Sequence, residues 1–335
     1  MTARERLKAL IAGEPADRTG FWLGNPDEAT WPLLHAYFGT RTQEALRLKL
    51  DDDFRWICPQ FFPECADASV FHWRDSRKTS HGAAGPFADC EDPRAVEDFP
   101  WPDPAKPTFD GCLQALRAAG PFYRASGMWT CFYHNVMDLF GMENYMIKMY
   151  THPAVVHAVT DRVCQFYYDV NARFFPEAGD EVDAFFFGND FGTQLDLICG
   201  PEQFDAYILP WFRRFTEQGH RFGKQVILHS CGAIHRVIPR LLEAGVDCLH
   251  PLQALARNMD AETLARDFKG KVCFLGGVDT QNLLVHGTPA DIRAEVRRIR
   301  NVLGPRLIVS PSHEALLPNV PPANVAAMAE AATAG

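Results

Sequence analysis

Short hydrophobic runs alternate with amphipathic segments along most of the chain, at the spacing of β–α units. The runs are continuous in hydrophobicity, as expected for strands of a parallel sheet that is covered on both faces. The amphipathic segments carry apolar residues three or four positions apart, which predicts helices. Seven strands are predicted, over residues 19–24, 121–126, 181–188, 226–231, 245–250, 271–276 and 306–310.

Helices are predicted between and before these strands. The first, over 2–12, should be capped by Thr2 and ended by Gly13. The others are predicted over residues 27–38, 42–48, 110–119, 135–150, 153–175, 201–222, 233–244, 260–268, 289–303 and 322–332.

Repeated β–α units of this length predict an α/β fold, a single (β/α)8 TIM barrel, with the eighth strand expected within 54–75. A doubly wound open sheet is the alternative, and the lack of a GxGxxG or GxxxxGK[ST] motif weakens it. One domain is expected over 1–335, in which 1–108 form an N-terminal part with helices and a hairpin at 67–90, and 109–335 form the regular units. The acids at 51–53 are expected on a solvated face, with the alternative that Asp53 and Arg55 reach the mouth of the barrel from the N-terminal part.

Composition narrows the class of protein. Apolar residues make up 47% and charged residues 22% of 335, which is typical of a globular chain with a large core. The net charge of -9 argues against a nucleic-acid partner. The charged N-terminus and the absence of a long apolar run predict no signal peptide and no membrane span. Ten cysteines without a CxxC pair suggest reduced thiols, so a cytoplasmic protein is expected, with a symmetric dimer as the default.

Residues that could take part in catalysis or metal binding are concentrated at the carboxyl ends of the predicted strands. In a TIM barrel these ends form the mouth that holds the active site. Each of the last five strands is followed by polar or metal-binding residues, in the segments 188–190, 229–232, 250–253, 276–281 and 310–314.

The strongest candidate is the pair His229 and Cys231. Side chains alternate along a strand, so these two should point the same way, and imidazole and thiolate are zinc ligands. Gly232 would allow the sharp turn that follows. The alternative is a core histidine beside a small buried cysteine.

Four other polar residues lie at these strand ends, and three of them also have a structural explanation. Asp190 could belong to the site or cap a turn, and Asp279 could cap the segment after it. His250 could belong to the site or simply end its strand before a proline. His313 lies in a stretch with neither helix nor strand period, which favours a site role.

The ordered motifs resemble the uroporphyrinogen decarboxylase superfamily. They run from Thr2-Ala3-Arg4-Glu5-Arg6 and Glu14-Pro15-Ala16-Asp17-Arg18 through 189–194, 229–232 and 276–281 to 318–325. The resemblance implies a TIM barrel. Porphyrinogen decarboxylases have an arginine-bearing segment that matches 21–26 here, and this chain has no arginine there. A substrate with eight carboxylates would lack its counter-charges, so that activity is rejected.

Within the superfamily the chain resembles the zinc-dependent methyltransferases that work with corrinoid proteins. That branch carries His-x-Cys at 229–231 and a later cysteine where this chain has Ser312-His313-Glu314. The resemblance implies zinc held by His229, Cys231 and, in place of the later cysteine, His313. It also implies a partner protein that carries cobalamin, and a small compound with an O-, N- or S-methyl group, or a thiol, as methyl donor or acceptor.

Asp190 and His313 are the predicted catalytic residues. One alternative is a metal-free decarboxylase or other lyase of a small acid that uses the same two residues, and another is a non-catalytic binding barrel. The residues predicted to bind substrate are Asn189, Gln194, His250, Gln253, Asp279, Gln281, Trp22 and Trp56.

Overall fold

A computed structural model describes residues 1–65 and 83–334. Its sheet has eight strands, and every neighbouring pair is parallel. The eighth strand lies at 54–56, inside the predicted range. The strands are β1 Gly20–Phe21, β2 Phe54–Trp56, β3 Tyr123–Ser126, β4 Ala184–Gly188, β5 Gln225–His229, β6 Cys248–His250, β7 Cys273–Val278 and β8 Leu307–Pro311. The order β1-β8-β7-β6-β5-β4-β3-β2 makes a nearly closed barrel and confirms the predicted TIM barrel.

Helices surround this barrel close to the predicted positions. Thr2 caps the first helix in a capping box with Glu5, and Gly13 ends it in the left-handed conformation. None of the described helices is long and apolar enough to cross a membrane. The main helices are Ala3–Ala12, Trp31–Phe38, Gln43–Lys49, Asp110–Ala118, Phe132–Phe140, Met142–Thr151, Pro153–Ala178, Leu209–Arg221, Ile238–Glu243, Ala261–Phe268, Leu283–His286, Pro289–Leu303 and Pro322–Thr333.

The predicted hairpin at 67–90 falls mostly outside the described residues, because 66–82 are not among them. Of that range, 83–90 are described, and they form turns without a strand.

The barrel is closed between β1 and β2 by side chains. One backbone bond links the two segments, from Asp53 N to Phe21 O at 2.9 Å. The carboxylate of Asp53 accepts from Phe21 N at 3.0 Å, and that of Asp52 accepts from Leu23 N at 3.2 Å. These bonds satisfy amide groups that a strand ladder would otherwise pair.

The prediction that residues 51–53 lie on a solvated face is therefore wrong for two of the three. Asp52 and Asp53 are 0% and 2% exposed. Burial of these charges is compensated by four guanidinium groups: Arg47 and Arg55 pair with Asp52, while Arg6 and Arg18 pair with Asp53.

Two apolar layers result from the alternation of side chains along the strands. Outward side chains pack under the helices in the larger core. Inward side chains fill the barrel, among them Trp22, Phe54, Tyr123, Phe186, Ile227, Leu275 and Ile308. His229 is the last residue of β5, and it lies where the packed interior of the barrel meets the mouth.

Candidate metal and substrate site

His229 and Cys231 lie side by side at the end of β5. The distance from Cys231 Sγ to His229 Nε2 is 3.4 Å. His229 is buried, at 5% exposure, while Cys231 is partly exposed. The pair therefore offers one imidazole nitrogen and one sulfur at the edge of the accessible mouth.

Two side chains hold the turn that carries Cys231. Asp190 Oδ1 accepts from Cys231 N at 2.9 Å, and Gln253 Oε1 accepts from Gly232 N at 2.7 Å. Gly232 has φ +89°, and a Cβ there would lie 2.1 Å from the carbonyl oxygen of Gly192. Only glycine fits this crossing of two loops without displacing the backbone.

The spacing of Cys231 Sγ and Asp190 Oδ1 from His229 Nε2 matches two edges of a tetrahedral zinc site. Asp190 Oδ1 lies 3.3 Å from His229 Nε2, and the Asp190, His229 and Cys231 ligand atoms all lie within 4.8 Å of one another. Bonds of about 2.0–2.3 Å at tetrahedral angles place ligand atoms about 3.3–3.6 Å apart. Both the N–O and the N–S separations fall in this range, so these side chains fit the ion.

The other ring nitrogen of His229 faces a buried polar pair. His229 Nδ1 lies 3.0 Å from His250 Nδ1 and 3.5 Å from Glu314 Oε2. If Nε2 binds a metal, the proton resides on Nδ1 and is donated to one of these acceptors, which orients the ring. His250 suits the acceptor role, because burial and the nearby His229 and His313 keep its pKa well below the usual value.

Nearby charges change the protonation of the donor set. Burial would lower the pKa of His229, but Glu314, Cys231 and Asp190 outweigh it and hold that pKa well above the usual value. Burial would raise the pKa of Asp190, but the hydrogen bond and charge of His229, together with His134, lower it. Without metal, His229 therefore carries a proton where an ion would bind, so metal uptake should release it.

His313 belongs to neither tight group of possible metal ligands among the described residues. Its ring centroid is 6.3 Å from that of His229. Its Nδ1 accepts from Ala315 N at 3.1 Å, and a hydrogen bond with Cys231 raises its pKa despite burial. Its role as the third zinc ligand stays a prediction.

A pocket of about 440 Å³ opens beside His313. It lies between the loops that follow β6, β7 and β8. Two residues predicted to bind substrate, Gln253 and Gln281, are on its wall. The full lining is Gln253, Thr280, Gln281, Ser312, His313, Ala315, Leu317, Asn319 and Val320.

Three other residues predicted to bind substrate lie away from this pocket's lining. Asn189 is buried, with its amide bonded to Tyr133 N and Thr130 O. The carboxylate of Asp279 accepts three backbone N–H bonds, from residues 281, 282 and 283, as its structural alternative expected. Gln194 is exposed on the loop after β4.

The two predicted tryptophans form the floor and wall of the mouth. Trp22 is fully buried, with its ring 5.1 Å from that of His250. Trp56 is partly exposed and packs against Trp129 at 4.9 Å and Phe186 at 5.3 Å.

Three site residues were not predicted as such. Glu314 lies behind His229, His134 Nε2 lies 3.8 Å from Asp190 Oδ2, and Trp129 packs on His229 at 5.5 Å. The sequence held one sign of the Trp129 contact, which is the glycine at position 188 at the end of an otherwise apolar strand. In the structure a Cβ at Gly188 would lie 2.3 Å from the Trp129 ring.

Comparison with known proteins places the fold in a family. No match was found among curated proteins. A solved structure of a methyltransferase from Methanosarcina mazei is similar, with a TM-score of 0.70, 16% identity, and coverage of 99% of this chain and 98% of that chain. At this identity the likeness shows a shared fold. A family model described as uroporphyrinogen decarboxylase (URO-D) matches residues 122–334, more than half of the chain. The chain belongs to the uroporphyrinogen decarboxylase family.

Proposed function

We propose that this protein is a zinc-dependent methyltransferase that moves a methyl group between a small methylated compound, or thiol, and a cobalamin-carrying protein. The observation that carries the proposal is the tetrahedral spacing around His229 Nε2, with Cys231 Sγ at 3.4 Å and Asp190 Oδ1 at 3.3 Å. Family membership and the fold shared with a methyltransferase support it.

Each residue has a distinct part in this function. His229, Cys231 and either Asp190 or His313 would hold zinc, which as a Lewis acid activates a heteroatom that gains or loses a methyl group. Glu314 and His250 orient the His229 ring from behind. Gln253 fixes the turn of Cys231 and reaches the pocket in which the small molecule would bind.

The first test measures zinc in purified wild-type protein and in Cys231→Ala. About one zinc per chain is expected in the wild type and a large loss in the variant. Cys90→Ala is the matched control, because Cys90 is outside the site and contacts Asp92 O. Metal-free wild-type protein that takes up no added zinc would remove the proposal.

The second test measures methyl transfer itself. Free cob(I)alamin with a panel of methylated compounds should give methylcobalamin, seen by its visible absorption, and chelation should abolish the reaction. Turnover of a small acid with release of carbon dioxide, unaffected by chelators and by Cys231→Ala, would instead support the lyase that uses Asp190 and His313.

A further inference from the structure

The pocket beside His313 has a wall without a fixed charge. None of its nine lining residues is Asp, Glu, Lys or Arg. We propose that the small-molecule substrate bound in this pocket is uncharged and polar, a neutral ether, amide or alcohol that bears the methyl group, and is neither a carboxylate nor an ammonium. The inference rests on the proposed function and names the substrate class of that site.

His313 is the one ionisable side chain in the lining, and any positive charge on its ring already faces a carboxylate. Nδ1 accepts from Ala315 N at 3.1 Å, and Glu314 Oε2 lies 3.6 Å from the same nitrogen. The ring therefore offers no unpaired positive charge to a carboxylate or sulfonate on the substrate.

The two acids next to lining residues already face other groups of the protein. The carboxylate of Asp279 accepts three backbone N–H bonds and is 9% exposed as a residue. Glu314 Oε2 lies 3.5 Å from His229 Nδ1 and 3.6 Å from His313 Nδ1, so its charge is directed at the imidazoles. Neither carboxylate is available to pair with an ammonium group in the pocket.

A charged group that faces this wall, away from the heteroatom that zinc would contact, would therefore lose hydration without gaining a counter-charge, which is costly in a partly enclosed site. The chain's net charge of -9 adds a long-range penalty for anions.

Neutral donors and acceptors are present instead. The side-chain amides of Gln281 and Asn319 make no hydrogen bond to any described residue, and both line the pocket. Each amide offers an acceptor oxygen and an NH2 donor. Leu317 and Val320 supply apolar contact beside them, which is the mixture expected for a small neutral ligand with a few polar groups.

The test uses three probes of one shape that differ in charge: 3-methoxybenzamide, 3-methoxybenzoate and 3-methoxybenzylammonium. Binding to zinc-loaded full-length protein is measured by calorimetry at pH 7. The amide should bind at least about tenfold more tightly than either ion, which corresponds to about 1.4 kcal/mol. Equal or tighter binding of either ion, or no binding by any of the three, would overturn the inference.

A charge introduced into the wall should change this preference. Gln281→Glu is expected to tighten benzylammonium binding at least about fivefold and to weaken benzoate binding, because a carboxylate then faces the ligand. Gln114→Glu is the matched control, since Gln114 is exposed on the outer helix Asp110–Ala118 and should leave all three affinities unchanged. An unchanged preference in Gln281→Glu would show that the ligand does not contact this wall.

Failure of this substrate class can be distinguished from failure of the proposed methyl transfer. A zinc-loaded protein that methylates cob(I)alamin but prefers the benzoate overturns the substrate class alone. A protein that prefers the amide but holds no zinc retains the pocket chemistry and loses the methyl transfer.

Discussion

Asp190→Asn should weaken zinc binding much more than His313→Ala. Asp190 Oδ1 lies at tetrahedral-edge distance from His229 Nε2, 3.3 Å, whereas His313 is outside both tight donor groups. Asparagine keeps the shape and can still accept from Cys231 N, a bond of 2.9 Å in the wild type, so the turn should persist. What is lost is the negative charge on the oxygen that would contact the ion.

The expected loss of zinc affinity depends on whether the substituted residue binds the ion directly or only orients a residue that does. Outer partners of zinc ligands change affinity by about 10–100-fold. Loss of a direct charged ligand should therefore exceed about 100-fold, or about 2.8 kcal/mol at 1.4 kcal/mol per tenfold. His313→Ala removes only an outer partner of Cys231 and should cost no more than about 10–100-fold.

The assay is competition for zinc with a chromogenic chelator, with circular dichroism to show that both variants are folded. Near-wild-type zinc affinity in Asp190→Asn, together with loss of more than about 100-fold in His313→Ala, would refute the geometric reasoning. It would establish His313 as the third ligand, as the resemblance to corrinoid-linked methyltransferases implies.

Three further predictions concern stability. Gly232→Ala should reduce soluble, zinc-loaded protein, measured by metal content per folded chain, because the Cβ would lie 2.1 Å from a backbone oxygen; normal loading would contradict this. Asp53→Ala should lower the free energy of unfolding in urea by about 3–5 kcal/mol, since Arg18 loses its carboxylate partner, Arg6 keeps only Asp17 and the amide of Phe21 loses its acceptor, while Asp98→Ala, at an exposed acid, should change it little. A hydrogen bond to Asp247 raises the pKa of His220, so the stabilisation from this pair is present below about pH 6.5 and lost as pH rises through the raised value. The melting temperature of His220→Gln should consequently depend less on pH over about 6–8, and parallel curves for the two proteins would argue against the pair.

The barrel could be predicted from the sequence because its strands are short apolar runs with helices of regular period between them. The two-residue alternation also indicated that His229 and Cys231 point the same way, and they lie 3.4 Å apart. Both inferences use local pattern alone. The general rule that a TIM barrel places its active site at the carboxyl ends of the strands then identified which end of the barrel matters.

Partnerships between distant segments could not be predicted in this way. Nothing local distinguishes Asp53, buried against two arginines, from a solvated acid, because Arg6 and Arg18 are far from it in the chain. Asn189 has its amide occupied by backbone from 56 and 59 residues away. The contact between Glu314 and His229 could not be predicted either, because the sequence does not show the direction in which the Glu314 carboxylate points.

Because the carboxylates of Asp52 and Asp53 close the barrel between β1 and β2, the shape of the mouth depends on these two residues. Elsewhere around the ring, main-chain bonds join the strands and tolerate almost any side chain. At this joint, a substitution of Asp52 or Asp53 would release the amides of Leu23 and Phe21 together with their arginine partners. Trp22 lies between these two amides, and its ring is 5.1 Å from His250. A substitution of either acid is therefore expected to alter turnover by letting Trp22 and the buried histidines beneath the mouth shift.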